Sequence, residues 1–270
     1  MANGYPVATW RLILPPPADG ATHMAVDEAI WEAVAEGRVP PTLRLYAWSP
    51  PCLSLGRNQP AATVNRRVLE ERGYDLVRRP TGGQAVLHID ELTYSVALPL
   101  ADPRARGDIL ESCARLSAGL VRALEILGVV GATARRRPHP PQARGPVCFE
   151  TTADFEVAVG GRKLIGSAQR RGRGTLLQHG ALPLWGDITR ICPLLVPPAD
   201  PQRVAARATT LEAVLGRRIT WEKAAEAMTE GFAQALNLHL EPGGLTPEER
   251  QRAEQLRREK YASEEWTGRV

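Results

Sequence analysis

Long apolar runs are missing from this 270-residue chain: no stretch of about 18 apolar residues occurs, which excludes a hydrophobic spanning helix. The N-terminus, Met1-Ala2-Asn3-Gly4-Tyr5-Pro6, has no basic start followed by an apolar stretch, so no secretory leader is expected. The reading is a soluble, cytoplasmic protein with no membrane partner. Cysteine is scarce: Cys52, Cys113, Cys148 and Cys192 are scattered and form no Cys-x-x-Cys pair, which argues against a disulfide scaffold and against zinc. Reduced thiols and no metal are expected. Aromatics make up only 5% of residues and no recognition helix is evident, so nucleic acid is not an expected partner.

What the chain does contain is 43% hydrophobic residues, enough for one large domain with a well-buried core. The formal net charge is +4, carried largely by short arginine runs such as Arg135-Arg136-Arg137 and Arg170-Arg171. Such runs read as solvated loops. Their functional reading is attraction of acidic protein partners, because complementary fields speed encounter.

Cys148 stands before Phe149, with Lys163 downstream inside Gly160-Gly161-Arg162-Lys163-Leu164-Ile165-Gly166-Ser167-Ala168-Gln169. A cysteine is a good nucleophile only as thiolate, and a nearby ammonium favours that form. Acyl transfer through a thioester needs this chemistry.

Strands and helices alternate along the chain. Strands are expected at Thr9 to Leu14, Leu43 to Trp48, Asp75 to Arg79 and Leu92 to Leu98. Between the first two lies a helix with Val26, Ile30 and Val34 on one face and Asp27, Glu28 and Glu32 off that stripe. Asn65 to Arg72 reads as a short helix closed by Gly73, and Asp108 to Leu127 as a long one whose stripe includes Cys113, a small buried hydrophobe there. Thr133 to Gly145, rich in Arg and Pro, reads as an exposed loop leading to Cys148. Phe155 to Val159, Gly160-Gly161 and Arg162 to Gln169 form a hairpin pattern, since paired glycines supply positive φ. Period two then groups Lys163 with Ile165, Ser167 and Gln169 on one face. After Gly172-Arg173-Gly174 comes a strand through Leu182. The last third is helical, from Thr220 to Leu236 and from a capping box at Thr246-Pro247-Glu248-Glu249 to about Tyr261. Cys52 and Cys192 read as packed thiols. Gly161 to Ser167 has some P-loop spacing but lacks the lysine after the second glycine, so nucleotide binding by that route is set aside.

Arg78-Arg79-Pro80-Thr81-Gly82-Gly83-Gln84-Ala85-Val86-Leu87-His88, followed by Glu91-Leu92-Thr93-Tyr94-Ser95-Val96, resembles the first signature of the lipoate-protein ligase A and biotin ligase superfamily. Gly161 to Gln169 resembles the second, Leu177-Gln178-His179-Gly180 the third, and Lys260 to Thr267 the C-terminal segment. The resemblance implies an α/β (α+β) fold, a mixed β-sheet flanked by helices. It implies a single catalytic domain over 1–270, with its core at about 35–240 and a C-terminal helical segment. Cys148-Phe149 before the lysine motif is similar to the cysteine-dependent, LipM-type octanoyltransferase branch.

That branch carries octanoyl from acyl carrier protein to a lysine of lipoyl domains, in glycine cleavage H protein or 2-oxoacid dehydrogenase E2 subunits. The resemblance assigns Cys148 as acyl-thioester nucleophile and Lys163 as the group lowering its pKa. It places Arg79, Thr81, Gly82, Gly83, His88, Ser167, His179 and Gly180 about the substrate. No cofactor is implied beyond the phosphopantetheine thioester of the donor. Three alternatives remain open on sequence: an ATP-dependent lipoate-protein ligase, an amidotransferase moving octanoyl between lipoyl domains, and a non-catalytic acyl-domain binding protein.

Overall fold

A computed structural model describes residues 4–135 and 156–269. In chain order the elements are β1 (Ala8–Ile13), α1 (Gly20–Ala35), β2 (Thr42–Tyr46), β3 (Cys52–Leu55), α2 (Arg66–Glu71), β4 (Asp75–Arg78), β5 (Val86–His88) and β6 (Glu91–Pro99). There follow α3 (Ile109–Ile126), β7 (Thr133–Arg135), β8 (Glu156–Val159), β9 (Arg162–Gly172) and β10 (Thr175–Pro183). The chain then forms α4 (Pro201–Arg207), α5 (Leu211–Leu215), α6 (Trp221–Leu236), β11 (Leu238–Pro242), α7 (Pro247–Leu256) and α8 (Glu264–Thr267).

Eight strands make one mixed sheet in the order β11-β1-β2-β6-β10-β9-β8-β7. β1 runs parallel to β2 and β11, whereas β2, β6, β10, β9, β8 and β7 pair antiparallel in turn. A second sheet, β4-β3-β5, is small and also mixed. Helices cover both faces of the large sheet. On one, Leu116, Leu120 and Leu124 of α3 and Met228 and Phe232 of α6 join Leu43, Leu45, Val96, Leu164 and Ile165 in the largest apolar cluster. On the other, Met24, Ala25, Ala29 and Ile30 of α1 pack on Ile13, Ala97 and Leu177, with Ala253 and Leu256 of α7 behind them.

The helix ends follow their sequence signals. Asp108 caps α3 through Glu111 N–H, and Thr246 caps α7 through Glu249 N–H, each with the reciprocal carboxylate bond of a capping box. The helical path beyond α7 runs through a π turn at Arg257–Tyr261, ending where expected. Gly160 and Gly161, φ 54° and 81°, make the two-residue turn between β8 and β9.

Four expectations change. Thr133–Arg135 is not loop but an edge strand on β8, its Thr133 paired with Ala158; three residues are too few to show a period. The rest of that segment, with Phe155, lies outside the described residues. Asp27, Glu28 and Glu32 are buried, at 1%, 5% and 6% exposure, because α1 is enclosed on all sides and each carboxylate has a cationic partner. Arg170-Arg171 is part of β9 and not a solvated loop: Arg170 lies over the Trp31 ring, and Arg171 donates to the carbonyls of Gly107 and Asp108. Finally, Lys163 does not share a face with Ile165. Val157 pairs with Ile165 and Ala158 with Lys163, so Leu164 is an extra residue on β9. This bulge lets Leu164 and Ile165 both enter the core and turns Lys163 over.

Candidate active site

The face of the sheet under α1 is polar where the opposite face is apolar. Strand alternation aims Arg44 and Tyr46 of β2, Thr93 and Ser95 of β6 and His179 of β10 at α1, while Leu43, Leu45, Tyr94 and Val96 point to α3 and α6. Asp27 of α1 receives hydrogen bonds from Arg44 Nη1 (2.7 Å), Tyr46 Oη (2.9 Å) and Ser95 Oγ (2.8 Å). Its Oδ2 is 3.3 Å from His179 Nδ1. Burial raises the Asp27 pKa, but Arg44 and the hydrogen bonds from His179 and Ser95 outweigh it and leave the group at about 2. Facing that carboxylate, Nδ1 carries the His179 proton, and Nε2 accepts from Thr81 Oγ at 2.6 Å. Asp27 therefore fixes the imidazole, and the imidazole fixes the loop after β4.

Arg79 holds the same loop from the other side. Its guanidinium donates to the carbonyls of Ser54 (3.0 Å), Gly82 (2.8 Å) and Gln84 (2.7 Å). The loop also lies on backbone: a Cβ at Gly56 would stand 1.8 Å from the Gly83 carbonyl oxygen. Gly83 itself, at φ 93°, adopts a left-handed conformation that glycine tolerates. Arg78 is fully buried and donates to the carbonyls of Gly56, Gln59, Thr267 and Arg269, tying the loop after β3 to the C-terminal segment. Glu28 completes that tie by receiving Lys260 Nζ at 2.5 Å and the Tyr261 hydroxyl.

Together these elements enclose a small cavity. Met24, Trp48, Val86, Ala168 and Ala181 give it apolar walls, and Arg79, His88 and His179 set polar atoms around them. Gly166 and Gly180 form its floor, pressed together: a Cβ on Gly180 would come within 2.4 Å of the Gly166 carbonyl oxygen. Ser167 borders the cavity, but its hydroxyl is bonded to Tyr94 Oη at 2.7 Å.

His88 stacks on Trp48 with centroids 3.9 Å apart, its Nε2 2.8 Å from Ser54 Oγ. Burial, with Arg79 and His179 nearby, pushes its pKa well below the ordinary imidazole range, so it is neutral around neutral pH. Burial likewise lifts the Glu91 carboxyl to about 8, against smaller opposing effects of the Thr93 hydroxyl and the nearby Trp48 indole.

Lys163 is 2% exposed and its ammonium is paired with Glu156. Val157 faces the α3 and α6 core, so its neighbour Glu156 points to the opposite, cavity-bearing face and holds Lys163 there. The thiols of Cys52, Cys113 and Cys192 are buried, and burial raises the pKa of Cys52 strongly and of Cys113 to about 11. Those two are packed thiols and poor nucleophiles. Cys148 lies outside the described residues. Among the described residues no group of His, Cys, Asp and Glu is arranged to hold a metal ion, and no helix is long and apolar enough to cross a membrane.

Of the residues singled out by sequence, Arg79, His88, Ser167, His179 and Gly180 border one cavity. Thr81 reaches it through His179, and Gly82 and Gly83 form the loop that Arg79 pins. Sequence reasoning missed Asp27, Arg44, Trp48, Glu91 and Glu156. For Glu156 a signal existed, since a residue before a two-residue hairpin faces one after it. For Asp27 there was none, because an acidic residue off a helical stripe normally faces water.

A sheet of this order, with a loop-capped cavity on its α1 face, defines a catalytic domain of the lipoate ligase kind. Residues 19–233 match the lipoyl protein ligase A/B catalytic domain. An octanoyltransferase LipM of Kyrpidia tusciae is 44% identical, covering 97% of this chain and 99% of that protein. The octanoyltransferase LipM of Bacillus subtilis is 35% identical over 96% and 97%. Among solved structures, protein Ta0514 of T. acidophilum with bound lipoic acid superposes at a TM-score of 0.81, with 25% identity, 97% of this chain and 100% of that one. Lipoate-protein ligase A bound with ATP gives 0.82, also at 25% identity and with the same coverage. The chain belongs to the lipoyl protein ligase A/B catalytic domain family. It is an acyltransferase of the octanoyltransferase type, acting in protein lipoylation.

Proposed function

We propose that the chain moves octanoyl from octanoyl-acyl carrier protein, through a thioester on Cys148, to a lysine of a lipoyl domain. The single observation that supports this most is the placement of Lys163, a buried ammonium turned by the β9 bulge onto the face that carries the apolar cavity. In the first half-reaction Cys148 thiolate attacks the donor thioester, and the carrier thiol leaves. Lys163 favours the thiolate by its charge. The eight-carbon chain lies in the cavity, where each buried methylene contributes about 0.8 kcal/mol. In the second half-reaction an uncharged lysine amine of the lipoyl domain attacks the thioester, the amide forms and Cys148 thiol is released. Ping-pong kinetics follow.

The donor is acyl carrier protein with its phosphopantetheine thioester, no other cofactor takes part, and the acceptors are lipoyl domains of glycine cleavage H protein or 2-oxoacid dehydrogenase E2 subunits. The reaction takes place in the cytoplasm, in one catalytic domain. Incubation with octanoyl-acyl carrier protein and an apo lipoyl domain, without ATP, tests this: the domain's lysine becomes octanoylated, and Cys148→Ala abolishes the reaction. Modification only from free lipoate with ATP contradicts it.

A further inference from the structure

Transfer to an amine requires the acceptor lysine to lose a proton before it attacks. Glu91 and His88 stand where that proton could go. Glu91 is 5% exposed and His88 6%, and Glu91 Oε2 and His88 Nδ1 have no hydrogen-bond partner among the described residues. His88 Nδ1 lies 3.4 Å from Glu91 Oε1, which accepts from Thr93 Oγ at 2.5 Å. A buried carboxylate oxygen and a buried ring nitrogen, both unpartnered, are an expense that a folded chain avoids unless a ligand meets them.

Their place in the fold says which ligand. On one side His88 and Thr93 border the acyl cavity. On the other, Glu91 lies in an open groove lined by Trp48, Trp185 and Trp221 and by the acidic Asp90 and Glu222. Trp48 borders both the cavity and the groove, and a smaller space beside Ala181 shares Glu91 and Trp185 with the groove. Indole faces and carboxylates attract an ammonium. The sheet register completes the geometry. Gly166 pairs with Ala181, and Ala181 with Thr93; Lys163 and Glu91 follow in the same direction on β9 and β6. On the sheet they therefore lie at the same end of their strands, two strand spacings or roughly 10 Å apart.

We propose that the groove walled by Trp48, Trp185 and Trp221 receives the acceptor lysine side chain, and that Glu91, with His88 beside it, takes the proton from its ammonium. The proposal rests on the thioester reading above. The ammonium gives one proton to the Glu91 carboxylate. The neutral amine attacks the octanoyl carbonyl, the C–S bond breaks, and the second amine proton goes to the departing Cys148 thiolate. Nothing is oxidised or reduced. The groups facing Glu91 are His88 from β5, Tyr46 and Trp48 from the β2 side, Thr93 on its own strand, Asp90 with its partner Arg190, and Glu222 across the groove. Burial of Glu91, with its pKa at about 8, makes it a far better match to an ammonium near 10.4 than an ordinary carboxylate near 4.3.

The test separates the half-reactions. Octanoyl-enzyme is prepared from octanoyl-acyl carrier protein and discharged either by an apo lipoyl domain or by hydroxylamine, which is uncharged at neutral pH and needs no base. In Glu91→Gln, octanoyl-enzyme forms, hydroxylamine discharges it as in the wild type, and discharge by the lipoyl domain falls about 100-fold or more. The wild-type rate with the lipoyl domain bends near pH 8, and Glu91→Gln loses the bend. Thr93→Val, which removes a hydrogen bond that holds the Glu91 pKa down, moves the bend upward. Equal discharge by the lipoyl domain in wild type and Glu91→Gln, parallel losses with both nucleophiles, or a bend unmoved in Thr93→Val would each overturn the proposal. Failure of the wild type to form octanoyl-enzyme would instead overturn the thioester reading, and the proposal with it.

Discussion

Lys163 and Ile165, two residues apart on β9, point to opposite faces of the sheet because their partners on β8, Ala158 and Val157, are adjacent, leaving Leu164 between them as an extra residue. Ile165 packs under α3 and α6, while Lys163 meets Glu156 on the cavity side. A buried pair of this kind is costly to halve. Glu156→Gln is expected to lower the unfolding free energy by about 3 kcal/mol, read by urea denaturation, and Glu156→Leu with Lys163→Met to recover most of that loss.

Asp27 gives a pH-dependent prediction. Its folded pKa of about 2 lies below the ordinary 3.8, so its contribution is present above about pH 4 and is lost as pH falls through about 2. Asp27→Asn should destabilise at pH 5 by roughly 2 to 3 kcal/mol, and the gap between wild type and variant should narrow steadily below pH 4. The same substitution releases His179 and lowers activity.

Glu91 has the opposite sign. Its pKa rises from an ordinary 4.5 to about 8 on folding, so the stability it contributes is full below about 4.5 and is lost as pH rises through about 8. Thermal unfolding should therefore show Glu91→Gln gaining on the wild type between pH 5 and pH 9, by a few kcal/mol in all.

Gly180 tests the cavity floor. A methyl there meets the Gly166 carbonyl, Tyr94 and the Ser167 hydroxyl at 2.4, 2.7 and 2.9 Å, two of them rigid. Gly180→Ala should cost about 1 to 3 kcal/mol in stability and depress octanoyl transfer more than that loss explains, since β9 and β10 must part at the cavity.

The strands and helices with strong periods, α3 and β6 above all, were legible in the sequence, as were the caps of α3 and α7. Arg79, His88, Ser167, His179 and Gly180 from the signature motifs border one cavity, while Cys148 lies outside the described residues. What escaped depended on contacts distant in sequence. β3 and β7 are too short to carry a pattern, and each exists through its neighbours. The bulge at Leu164 reversed a parity argument that was sound for a regular strand. Asp27, Glu28 and Glu32 are charged residues whose partners, Arg44, Lys260 and Arg252, come from β2 and the C-terminal segment, so no local rule could bury them.

Intact-mass measurement of the protein after brief exposure to octanoyl-acyl carrier protein, without ATP or acceptor, addresses the thioester directly. The account predicts one octanoyl group on the chain, located at Cys148 by peptide mapping, removed by hydroxylamine and missing from Cys148→Ser. An unmodified wild-type chain that nevertheless octanoylates an apo lipoyl domain would contradict it.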